Sequence, residues 1–120
     1  MIEIIPGLPG GVLGFRAGGQ VTAADYERVL IPAVEAAFEL HPKLRLLYQI
    51  GNDFTGFDVG AMWDDARVGL RHLAGWERVA VVTDVAWIRA SMALFALAMP
   101  GKVRMFDTRD FDAATAWIVR

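Results

Sequence analysis

The chain has no cysteine among its 120 residues. That removes a disulfide framework, a thiolate nucleophile and a thiolate metal site together, and it suits a reducing cytoplasm. Serine is almost as scarce. Ser91 is the only one, it falls in an apolar run, and neither His41 nor His72 has a visible nucleophile to activate, so a hydrolase reading fails. A charge excess is also missing. Twelve basic residues against 14 acidic ones give a net charge of −2, and lysine and arginine do not cluster, so no electrostatic footprint for nucleic acid exists. No apolar run reaches the roughly 20 residues of a membrane-spanning helix. Val85 to Met99 is the best candidate, but it is short and contains Arg89. Met1 to Pro6 lacks the basic and apolar regions of an export signal, so a cytoplasmic location is expected. The glycine clusters at Gly7 to Gly11 and Gly18-Gly19 carry no phosphate-binding signature.

Apolar residues are what the chain has in excess. They make up 55% of it, and the mean hydropathy of +0.36 is high for so small a domain. Some of that surface is expected to serve a ligand pocket, an interface between copies or a membrane. A chain of this length buries roughly two thirds of its extended surface, enough for one core. With no internal repeat, linker or low-complexity segment, residues 1–120 read as a single domain.

The centre of the pattern is Trp76 to Asp107. Glu77 to Val82 reads as a buried strand, Val85 to Met99 as a nearly all-apolar helix, and Lys102 to Phe106 as a second strand after Pro100-Gly101, the form of a right-handed crossover in a layered α/β domain. Upstream, Ile2 to Ile5 and Gly11 to Arg16 flank a short Pro/Gly turn, which predicts an antiparallel pair at one edge. Thr22 and Asp25 have capping-box spacing and start a first helix. Pro32 inside it would cost about 3 kcal/mol in a straight helix, so a kink or break is expected near Arg28 to Ile31. Leu44 to Ile50 reads as a strand, and a second helix is expected from Asp58 to Ala74, ended by a left-handed Gly75. On that helix Val59, Met62, Trp63, Ala66, Gly69, Leu70 and Leu73 form the inward stripe, with Asp64 and Asp65 on a solvated face. Gly69 in the stripe predicts close approach to a neighbour. Asp107 to Asp110 offers a cap for a last helix. The order is ββαβαβαβα, a mixed sheet with helices on both faces.

Several strings, taken in order, carry a likeness to a known family: Met62-Trp63-Asp64-Asp65, Gly69-Leu70-Arg71-His72-Leu73, Arg78 to Val82 with Trp87-Ile88, and Phe106-Asp107 with Ala116-Trp117. Together, over essentially the whole chain, they resemble the SpoIIAA-like family, small bacterial proteins placed with the STAS domains of anti-sigma-factor antagonists and more loosely with the lipid-binding Sec14 fold. Pro32 in the first helix fits it too. The resemblance implies a STAS-like α/β fold. In the antagonists a loop after the third strand carries an Asp-x-Ser-Gly motif whose serine is phosphorylated at a helix N-terminus. Asp53-Phe54-Thr55-Gly56 stands in that region with threonine for serine, so the resemblance implies Asn52, Asp53 and Thr55 as a phosphoswitch loop. Thr55 equally reads as a turn or cap residue.

The helix from Val85 to Met99 is apolar on more than one side, so packing on the sheet accounts for only part of it. Trp63, Trp87, Met92, Leu94 and Phe95 are therefore the expected binding surface, between the second and third helices. It would receive a lipid-like molecule or a protein partner, or form a homodimer contact. The expected function is a non-catalytic binding or regulatory module with no cofactor and no metal. The alternatives are a switch centred on Thr55 and a purely structural homodimer.

Overall fold

The computed structural model describes every residue from Met1 to Arg120. Its strands are β1 (Ile2–Ile4), β2 (Val12–Ala17), β3 (Gln20–Val21), β4 (Leu44–Ile50), β5 (Gly56–Phe57), β6 (Trp76–Val82) and β7 (Lys102–Phe106). Helix α1 covers residues 23–40, α2 is Val59–Arg71, α3 is Ala86–Ala98 and α4 is Phe111–Val119. Five strands form one sheet in the order β1-β2-β4-β6-β7. Only β1 runs antiparallel, with Ile2 opposite Ala17 and Ile4 opposite Phe15, because the short turn to β2 cannot cross over. The other pairings are parallel and are reached through helices. Strands β3 and β5 form a separate two-residue parallel pair, which the expected order omits.

Alternation along β4 and β6 sorts the core into two layers. Tyr48, Ile50, Val79 and Val81 face α1, α2 and α3, while Leu47, Ala80 and Val82 face α4. A register shift at the start of the β4–β6 pair sets Leu44 opposite Trp76 and Arg45 opposite Arg78, leaving Glu77 unpaired between them. Trp76 thereby joins the three-helix side with Leu44 instead of following Arg78 to the other face.

Local chemistry explains most of the helix ends. Thr22 Oγ1 accepts from Asp25 N–H at 3.3 Å, and Asp25 Oδ2 accepts from Thr22 N–H at 2.8 Å, a reciprocal cap. Pro32 is absorbed without a break. The turn Tyr26–Leu30 is π-helical, with Ile31 N–H reaching back to Tyr26 O, and this irregular turn just ahead of Pro32 takes up the change in hydrogen bonding near the expected position, Arg28 to Ile31. Three expectations need correction. Gly75 is not left-handed; it closes the 3-10 turn Leu73–Gly75, and a Cβ there would fall 2.5 Å from Phe38 Cε1, so space and not φ demands glycine. Asp107 does not cap the last helix; Asp84 Oδ1 accepts from Thr108 N–H at 2.9 Å while Asp107 faces Arg89 and Arg109. The inward stripe of α2 is Ala61, Asp64 and Val68, not the expected one. No helix is long and apolar enough to cross a membrane.

Candidate functional site: an apolar cavity beneath two helices

Helix α2 turns its small and acidic residues inward. Gly60 lies so close to Ala23 that an added Cβ would meet it at 2.7 Å, which clamps the start of α2 against α1. That contact fixes the rotation of the helix. Ala61, Asp64 and Val68 are buried, and Val59, Met62, Trp63 and Leu70 are left exposed. Helix α3 buries only Ile88 fully, with Met92 and Phe95 half-buried. The two helices meet where Gly69 faces Phe95; a Cβ on Gly69 would lie 3.2 Å from the Phe95 ring, the close approach expected at this glycine.

Between these helices and the sheet lies a cavity of about 360 Å³, with 17 hydrophobic residues among the 20 that line it. Its floor is Leu46, Tyr48 and Ile50 of β4 with Trp76, Val79 and Val81 of β6. Met62, Asp65, Ala66 and Gly69 of α2 form one wall and Ile88, Ser91, Met92 and Phe95 of α3 the other, each set at one-turn spacing. Leu30 and Val34 of α1 close the back. An aromatic corner completes it: Phe57 packs edge-on to Trp87 at 5.9 Å and to Tyr26 at 6.3 Å between ring centres.

One polar chain enters this wall. Tyr26 donates to Asp65 Oδ1 at 2.7 Å and its hydroxyl lies 2.8 Å from that of Tyr48. Tyr26 has a single proton, so when Asp65 is ionised Tyr48 must donate to Tyr26, and the order is Tyr48 to Tyr26 to Asp65. Asp65 lines the cavity and keeps exposed surface, although protein atoms crowd its carboxyl closely enough to weaken its hydration. Burial pushes its carboxyl above the ordinary range, partly offset by the hydrogen bond from Tyr26. Burial raises both tyrosines further, with the Asp65 charge adding to it, so both phenols stay protonated. Asp64 does not lie on a solvated face, contrary to expectation, whereas Asp65 is exposed where α2 borders the cavity. Asp64 is buried with Arg67 at 3.6 Å from Oδ1 and no partner on Oδ2.

Trp87, Met92 and Phe95 line the cavity, as a surface between the second and third helices requires. Trp63 and Leu94 do not. They are 67% and 71% exposed and point away from it. Asp65 and the Tyr26–Tyr48 pair were missed, although Asp65 follows Met62 by three and precedes Gly69 by four, which places it beside the apolar stripe. Asn52, Asp53 and Thr55 are exposed in the loop after β4. This loop is tied to the end of β2 by backbone bonds, Thr55 N–H to Gly19 O at 2.9 Å and Gly51 N–H to Ala17 O at 2.9 Å. Thr55 is not the cap of α2; Asp58 is, with its Oδ1 2.7 Å from Ala61 N and its Oδ2 3.4 Å from Ala23 N. A carboxylate thus already occupies the anion-favouring start of α2. No group of three or more histidine, cysteine, aspartate or glutamate side chains converges as a metal cluster.

The SpoIIAA-like family model matches residues 12–119, from the start of β2 to the end of α4. The chain belongs to the SpoIIAA-like family. Its sheet and helices are similar to those of a solved structure, an uncharacterized protein of the DUF3478 family with a SpoIIAA-like fold from Shewanella loihica PV-4. The two are 28% identical with a TM-score of 0.74, over 98% of this chain and 92% of that one. No curated protein matches the chain. As a SpoIIAA-like domain it carries the mixed α/β architecture that its family resemblance implies, and the cavity is built on the three-helix face of that architecture.

Proposed function

We propose that this SpoIIAA-like protein is a non-catalytic binding module that holds a small, largely apolar, lipid-like molecule in the cavity beneath α2 and α3. One observation carries the reading: a cavity of about 360 Å³ whose wall is almost wholly hydrophobic, with a single carboxylate at one point. The size falls within the about 300–1,000 Å³ typical of small-molecule sites, and apolar walls with few polar groups are their usual make-up. The cavity is partly open to water, and an apolar occupant would take its apolar lining out of water, a favourable transfer. The expected kinship with the lipid-binding Sec14 fold supports the same class of ligand.

The test is binding of N-phenyl-1-naphthylamine, a neutral apolar fluorophore, to the wild-type chain and to Ala66→Trp. Ala66 lines the cavity, so the indole would fill it. The expected result is at least tenfold weaker binding with a thermal midpoint unchanged or raised. Equal binding by a folded Ala66→Trp would overturn the proposal. A protein partner or second copy is the other reading, favoured by the outward exposure of Trp63, Leu94 and Leu97.

A further inference from the structure

Asp65 has no counter-ion. It takes part in no ion pair with any lysine, arginine or histidine, and no basic side chain lines the cavity. Its sole hydrogen bond within the chain is the one that Tyr26 donates to Oδ1, which leaves Oδ2 free at the cavity wall. A carboxylate on the wall of an apolar cavity ordinarily has a basic partner, because a charge beside low-dielectric walls loses part of its hydration without compensation. The neighbouring Asp64 shows the contrast, since it has Arg67. The cavity lining that holds Asp65 also includes the aromatic residues Tyr48, Phe57, Trp76 and Trp87, and aromatic rings attract cations. A carboxylate within a ring-lined apolar cavity discriminates between head groups of otherwise equal molecules. It repels a carboxylate, accepts one hydrogen bond from an alcohol, and forms a charged pair with an ammonium.

Resting on the binding-module reading above, we propose that the occupant is an apolar amine, whose ammonium pairs with Asp65 Oδ2 while its hydrocarbon fills the space between α2 and α3. The chain of donors from Tyr48 through Tyr26 serves to hold Asp65 in place and to favour its ionised form. The titratable groups facing Asp65 are Tyr26 from α1 and Tyr48 from β4; β5, β6 and α3 contribute Phe57, Trp76, Val79, Val81, Ile88 and other uncharged side chains. Asp65 is therefore the group whose ionisation sets the affinity for a cation.

Isothermal titration of the full chain with octylamine, 1-octanol and octanoate at pH 7 decides the matter, because the three share one apolar tail. Octylamine is expected to bind at least tenfold more tightly than 1-octanol, with octanoate weakest. In Asp65→Asn, whose amide oxygen still accepts from Tyr26, the amine's advantage over the alcohol is expected to vanish. If all three bind the wild type alike, or octanoate leads, the amine assignment falls while the binding module stands. If none binds, both fall. Should Asp65→Asn fail to fold, as judged by circular dichroism, the wild type alone decides through pH. Octylamine affinity is expected to rise as Asp65 ionises with increasing pH, the amine staying protonated up to about pH 10, while 1-octanol affinity stays level. Parallel pH profiles for the two would overturn the assignment.

Discussion

On the side of the sheet covered by α4, Leu47, Ala80, Val82 and Phe106 meet Ala114, Trp117 and Ile118, all of them buried. Two arginines finish that side. Arg45 donates to Ile118 O at 3.0 Å and Arg120 O at 3.1 Å, and Arg78 donates to Trp117 O at 2.9 Å while lying 5.3 Å from the centre of its ring. The carbonyls that a helix leaves unpaired at its C-terminus are satisfied by cations placed there by the sheet. On the opposite side three helices cover the same strands and still leave a cavity. One helix closes what three leave open. The difference lies in how each helix is rotated: α4 gives the sheet its large apolar residues, whereas α2 gives its neighbours Ala61, Asp64 and Val68 and keeps Met62 and Ala66 for the cavity. The α4 side has the packing of a stability element, and the other side has the packing of a container.

Truncation on the two sides should separate these roles most strongly. Ile118 is fully buried, and Ile118→Ala is expected to cost about 3–4 kcal/mol, the transfer loss plus the new void. Met92 already borders empty space and is half-buried, so Met92→Ala is expected to cost under about 1 kcal/mol, since it removes few contacts. Urea unfolding of both variants measures the gap. Equal losses would mean that the cavity wall is packed as tightly as the α4 side, and the contrast drawn between them would fail.

How much of this could be read from the chain follows from what each signal encodes. The crossover from β6 through α3 to β7 was legible because a β-branched run, an apolar helix and a Pro-Gly turn are local patterns, and the observed parallel strands follow them. The edge pair was legible because its turn is too short for any other pairing. The rotation of α2 was not. Amphipathic spacing says which side of a helix is apolar, but not whether that side meets core, cavity or solvent, and here it was Gly60 against Ala23, a contact across 37 positions of sequence, that decided. The same gap hid Asp65. Two adjacent aspartates look alike in a sequence, yet one pairs with Arg67 and the other accepts a hydrogen bond from a tyrosine on another element. Strands β3 and β5 are two residues each, too short to leave a period.

A smaller effect should appear in the pH dependence of stability. Asp65 is held above the ordinary carboxylate range by burial, so the folded chain binds a proton there more tightly than the unfolded chain. Its contribution is therefore lost as pH rises from the ordinary carboxylate range through the raised value. Asp25 and Glu35 act in the opposite sense. Their carboxyls are held low, Asp25 chiefly by the backbone N–H of Thr22 and Glu35 chiefly by His72, so their contribution is lost as pH falls. The stability of Asp65→Asn minus that of the wild type cancels those two groups and should increase with pH across the acid range. Chemical denaturation at a series of pH values reads it, and a level difference would return Asp65 to an ordinary solvated carboxylate.

The smallest effects belong to the outer side of the container, where they discriminate between a ligand and a partner. Trp63 and Leu94 project away from the cavity, so Trp63→Asp and Leu94→Asp should leave fluorophore binding unchanged and shift stability by no more than about 0.5 kcal/mol. Neither residue holds the walls apart, which are set by Gly60 on Ala23 and Gly69 on Phe95. Sedimentation of the same variants addresses the surface itself. If the wild type is a dimer through α3, a carboxylate at Leu94 puts unpaired charge into an apolar contact and yields monomers that still bind the fluorophore. Loss of fluorophore binding together with dissociation would join the two readings, because the cavity would then be completed only when a second copy covers Leu94 and Leu97.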